Sequence, residues 1–93
     1  MFDRILKRMR DKVRTREYVV TLHAEEEIDD DELTVFDVER AVLTGTIVGR
    51  QRDPVTREWK YLVKGPTTAS DTLVIVAKLT PTGKLAVITV YRE

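Results

Sequence analysis

The strongest constraint on the fold is a single change of hydrophobic period at Gly45. Before it, outside the short run Tyr18–Leu22, apolar residues recur at three- and four-residue intervals, as on one face of a helix. After it they alternate or run almost unbroken through short stretches, as in strands. A chain that changes period once gathers its helices first and its strands second, which is the α+β class. With 93 residues it has enough chain for one core and none for a second, so residues 1–93 form one domain.

Phe2, Ile5, Leu6, Met9 and Val13 place one apolar stripe on a helix from Phe2 to about Lys12. Residues 1–16 thus read as a basic, amphipathic helical extension that docks on a core. Tyr18–Leu22 is rich in β-branched and aromatic residues and predicts a short strand. Thr21 can cap a helix from His23 to about Asp30, with Ala24 and Ile28 facing inward. Thr34 opens a third helix, where Asp37 three residues later completes a capping box; Val35, Val38, Ala41 and Val42 form its apolar face. Gly45 then suits the left-handed position that ends many helices.

Thr46–Arg52 and Trp59–Gly65 read as strands joined across Asp53-Pro54-Val55-Thr56. In the second, Trp59, Tyr61 and Val63 alternate with Lys60, Leu62 and Lys64, so one face is wetter. Leu73–Leu79 and Leu85–Tyr91 are apolar on both faces and are joined by a turn at Thr80–Lys84. They belong in the middle of a sheet covered on both faces, or covered on one face with a partner on the other. The expected architecture is early helices on a four-stranded, mainly antiparallel twisted sheet, which Tyr18–Leu22 extends by one short strand.

Sixteen basic and sixteen acidic residues cancel to zero, but they are segregated. Met1–Val20 holds seven basic and three acidic residues, whereas Thr21–Arg40 holds one basic and nine acidic. Such poles are solvated helix faces, or attract each other, a second copy or a polyion. No apolar run is long enough to span a bilayer and the amino terminus lacks the apolar core of a secretory signal, so a cytoplasmic protein is expected. The chain has no cysteine and one histidine, which removes disulfides, thiolate nucleophiles and the usual zinc ligand sets; no metal or cofactor is expected.

Four glycines, at 45, 49, 65 and 83, match no phosphate-binding loop, and the acidic run Glu25–Glu32 lacks the alternation of a calcium loop. The lone serine, Ser70, has no nucleophile-elbow context. His23 is the one side chain that ordinarily titrates near neutrality, hence the candidate for proton transfer, or else a residue filling the strand–helix corner. Arg50, Arg52, Lys60 and Lys78 form a candidate basic strip for nucleic acid if they reach one sheet face, with Trp59, Tyr61 and Tyr91 available for base stacking. The same residues are also at home in an ordinary sheet, the aromatics as packing and the lysines as edge protection.

Thr21-Leu22-His23-Ala24, Leu33-Thr34, Asp37-Val38, Ala41-Val42 and Gly45-Thr46-Ile47 resemble the opening of domain-of-unknown-function family 4258. Trp59, Tyr61, Gly65, Leu73–Val76 and the closing Ile88-Thr89-Val90-Tyr91 continue the match over about residues 18–91. The resemblance implies a RelE-like toxin fold, paired with an antitoxin protein and acting as a metal-independent endoribonuclease on RNA. It points to His23, Thr89 and Tyr91 as catalytic residues, converging on a concave patch with a basic rim. The family usually carries arginines three and seven residues beyond the Ala; here Glu27 and Asp31 stand there. The alternative expectation is a diverged, non-catalytic protein-interaction module, with no membrane role, that uses the acidic or basic helix and forms a homodimer.

Overall fold

The computed structural model describes residues 1–93. Its elements follow in the order α1 (Asp3–Arg14), β1 (Tyr18–Val20), α2 (Leu22–Asp30), α3 (Val35–Thr44), β2 (Thr46–Arg52), β3 (Trp59–Pro66), β4 (Thr72–Leu79) and β5 (Leu85–Arg92). The strands form one sheet in the order β1-β5-β4-β3-β2. β2 to β5 are antiparallel neighbours, while β1 lies parallel to β5. The fold is therefore α+β, a four-stranded antiparallel sheet with the early strand added at one edge. That strand stops at Val20 because Thr21 turns out to cap α2, its hydroxyl accepting from Ala24 N at 3.2 Å.

Cross-strand register assigns the two faces. Val63, Ile75 and Val90 are aligned, as are Tyr61, Ala77 and Val87, and both rows enter the core. Against them pack Met9 and Val13 of α1, Ala24 and Ile28 of α2, and Val38, Ala41 and Val42 of α3. Met9 is fully buried; a side chain of that kind contributes roughly 1.5–3 kcal/mol, which anchors the basic amino-terminal helix to the sheet. The opposite face aligns Leu62 with Val76 and Thr89, and Lys64 with Val74 and Tyr91. None of its residues belongs to the helix-bearing core, and Val19, Val48 and Tyr91 are exposed. The doubly apolar strands β4 and β5 do occupy the middle of the sheet, with helices on one side only.

Gly45 does not adopt the left-handed conformation expected of it, since its φ is −91°. Its role is close approach. A Cβ there would lie 2.4 Å from both Ala41 O and Lys64 O, and one on Gly65 would lie 2.4 Å from Ala41 O. Two facing glycines let the last turn of α3 touch the backbone of β3. Arg10 of α1 completes this junction, donating to Val42 O at 3.2 Å and Gly45 O at 2.8 Å, so a cation caps the carbonyl end of α3.

The capping box at the start of α3 forms as its sequence predicts and then does more. Asp37 Oδ2 accepts from Thr34 N and Oγ1, while Oδ1 accepts from Thr68 N and Oγ1. This buried carboxylate ties the β3–β4 loop to α3, and those hydrogen bonds, Thr68 foremost, hold its pKa down at about 2 against an ordinary 3.8.

Candidate functional site: the α2–β5 seam and the acidic groove

β1 covers the outer edge of β5 only from Leu85 to Val87. Beyond that point α2 takes over the edge. Thr21 Oγ1 donates to Ile88 O at 3.2 Å, Glu27 Oε1 accepts from Val90 N at 3.0 Å, and the Arg92 guanidinium donates to Asp31 O at 2.9 Å. From Glu27 to Asp31 the helix advances four residues, or about 6 Å, while the strand advances two, or about 6.6 Å, so the two elements stay in step. A strand edge that would otherwise present open backbone groups is thereby closed.

The seam uses an acidic side chain at Glu27 alone, since Asp31 acts through its backbone. Glu27 substitutes for a strand partner of Val90, and Asp31 contributes its carbonyl. It also fixes His23, whose Nε2 lies 3.3 Å from Glu27 Oε1, one helical turn away. The imidazole is exposed, on the outside of the seam. Thr89 and Tyr91 flank Val90 in β5 but share the open sheet face with Val76 and Val74. His23 is thus brought beside the segment that carries them, while no hydrogen bond or ion pair joins it to either. Neither of the molecule's two grooves is lined by any of the three.

The candidate basic strip divides between the two faces. Arg50 aligns with Tyr61 and Arg52 with Trp59, on the helix-bearing side, where their guanidiniums stack 4.0 and 4.7 Å from the indole centroid. Lys60 and Lys78 occupy the other face, each facing a carboxylate: Asp53 at 3.9 Å and Glu58 at 3.1 Å. The four cations therefore form no continuous strip, because the strand period of two sends residues 50 and 60 to opposite sides of the sheet.

The least neutralised charge lies on α2. Glu25, Glu26, Asp29, Asp30 and Glu32 are exposed and take part in no ion pair. Glu25 and Asp29 form one wall of a groove of about 300 Å³ between α2 and the start of α3, whose other lining includes Val20, Ile28, Leu33 and Val35. Phe36, next in sequence, is 61% exposed. The cations of α1 do not answer these acids, since no ion pair joins the two helices. No three acidic, histidine or cysteine side chains are grouped to hold a metal ion, and no helix is long and apolar enough to cross a membrane.

The sequence profile described as domain of unknown function (DUF4258) matches residues 20–92, from the end of β1 through the end of β5. The chain belongs to this family. The DUF4258 match begins at the last residue of β1 and spans α2, α3 and β2 to β5, leaving α1 and most of β1 before it. No curated protein and no solved structure matches this DUF4258 chain.

The sequence alone did not reveal Glu27 as an edge cap or the groove beside Glu25. Both arise from parallel pairing of β1 with β5, which aims α2 along the strand. The one local signal was the density of carboxylates on a helix with only two buried residues, Ala24 and Ile28.

Proposed function

We propose that this DUF4258 domain is a cytoplasmic, non-catalytic protein-interaction module whose α2–α3 groove receives a basic, amphipathic segment of a partner protein. The observation that carries this reading is a set of exposed, unpaired carboxylates bordering an apolar groove. Ile28, Leu33 and Val35 offer a site for an apolar anchor, and Glu25 and Asp29 flank it for lysine or arginine. A partner antitoxin, as the RelE-like resemblance implies, fits as the source of such a segment.

The test is a synthetic amphipathic Leu/Lys helix titrated against the protein by calorimetry over a salt series. Binding should weaken steeply with salt and fall at least roughly tenfold in the double variant Glu25→Lys/Asp29→Lys. Binding that ignores both salt and charge reversal would refute the proposal. Sedimentation of the protein alone adds the homodimer arm: a salt-sensitive dimer lost in Glu25→Lys/Asp29→Lys would make a second copy the partner.

A second reading, the metal-independent endoribonuclease, is supported by the seam, which brings the His23–Glu27 pair to Val90, the residue between Thr89 and Tyr91. Against it stands the charge around the imidazole. At about 8 Å in water each carboxylate repels a phosphate by about 0.5 kcal/mol, and α2 with its C-terminal turn carries seven. Such a reaction also needs cations on the developing phosphorane charge, and Arg92 is engaged with Asp31 O and the Asp71 carboxylate. RNA turnover abolished by His23→Ala would establish this second reading over the first.

A further inference from the structure

We propose that a second groove, between α1 and the adjoining ends of β3 and β4, binds a mononucleotide. It lies outside the α2–β5 seam and shares no residue with the acidic groove, so it stands independently of the interaction proposal. Its volume is about 300 Å³, and Trp59, Tyr61, Ile5, Leu79, Arg8 and Glu58 are among its lining residues. That is the lower end of the range for small-molecule sites, suited to one ring and its sugar rather than to a chain.

Two aromatic walls are held in place before any ligand arrives. Arg50 and Arg52 stack on Trp59 but do not line the groove, so they brace the indole from outside it. Phe2 meets Tyr61 edge to face, with centroids 5.9 Å apart and planes at 74°. Trp59, Tyr61 and Leu79 lie side by side on the helix-bearing face of β3 and β4, and Ile5 faces them from α1, so the groove offers an apolar slot for a planar base.

The rim supplies the matching charge. Arg8 is exposed and has no carboxylate partner, and Arg4, also unpaired, precedes it by one turn of the same helix. A guanidinium there can hold a phosphate by two parallel hydrogen bonds. Glu58, the only acid among the lining residues, is neutralised by Lys78 Nζ at 3.1 Å. An apolar ring slot beside free guanidiniums is selective for a ring that bears phosphate; neither a nucleoside nor phosphate alone engages both halves.

Trp59 is the only tryptophan and lines the groove, so its fluorescence reports occupancy directly. Titration of the full chain with adenosine 5′-monophosphate at low salt should give saturable quenching. Adenosine and inorganic phosphate should each bind roughly tenfold more weakly, and Arg8→Ala and Arg8→Glu should weaken the nucleotide by a similar factor. Arg14→Glu, on the same helix but outside the groove, should leave the titration unchanged. The proposal is overturned if the nucleotide gives no quenching, if both Arg8 variants bind like the wild type, or if phosphate alone binds as tightly. Oligoadenylate binding roughly tenfold tighter than the mononucleotide would also overturn it and assign the groove to single-stranded nucleic acid.

Discussion

Replacing Asp37 by Asn tests whether one buried carboxylate welds the β3–β4 loop to α3. The side chain is 6% exposed and its two oxygens accept four hydrogen bonds, from Thr34 N and Oγ1 and from Thr68 N and Oγ1. Asparagine keeps one acceptor and turns the other oxygen into a donor, which must then face a backbone N–H at Thr34 or Thr68. The depressed pKa, about 2 against 3.8, corresponds to a linkage contribution of at most about 2.5 kcal/mol. Solvent screening at the edge of the loop lowers this to about 1–2 kcal/mol. Because the folded pKa lies below the unfolded one, the contribution is complete above about pH 5 and disappears as pH falls through about 2. Urea unfolding of both proteins from pH 7 to pH 2 measures it. The gap should be about 1–2 kcal/mol at neutral pH and should close on acidification as the aspartate takes up its proton. A gap that is absent at pH 7, or that persists undiminished at pH 2, refutes the reasoning.

Further substitutions probe three other places in the fold. Gly65→Ala forces a methyl against Ala41 O and the Gly45 Cα, and should lower stability by about 1–3 kcal/mol in chemical denaturation, whereas Gly49→Ala, whose added Cβ meets nothing, should change far less. Burial and a hydrogen bond to Glu39 push the Tyr18 phenol up to about 12, so its stabilising contribution should be intact below pH 10 and lost on alkaline titration through 12; Tyr18→Phe should flatten that limb. Glu27→Ala leaves the Val90 N–H without its acceptor and should destabilise by about 1 kcal/mol with faster amide exchange at Val90, while Glu27→Gln, which keeps an acceptor oxygen, should largely preserve both.

Most of the secondary structure was legible because each element carries its own period and punctuation. The capping residues Thr21 and Thr34 marked helix starts correctly, and β2 matches its predicted bounds of Thr46–Arg52. Gly45 illustrates the limit of local reading: its position after a helix suggests a left-handed turn, but the reason for glycine is the backbone of Gly65 across the sheet. Likewise, Arg50 and Lys60 look like one basic strip in the sequence, and strand register sends them to different faces. For the candidate site, the corner before α2 does lie against β5, as an approach of His23 to the closing strand requires. The sequence could not show that Glu27 lies between His23 and the strand, because that depends on α2 running in step with β5.

The most direct test of the interaction account is amide NMR of the labelled protein titrated with the amphipathic Leu/Lys helix. The account predicts saturable shifts confined to Val20, Glu25, Ile28, Asp29, Leu33 and Val35, around the acidic groove. Shifts absent from those residues, or centred instead on the open sheet face at Val48, Leu62 and Val76, would contradict it.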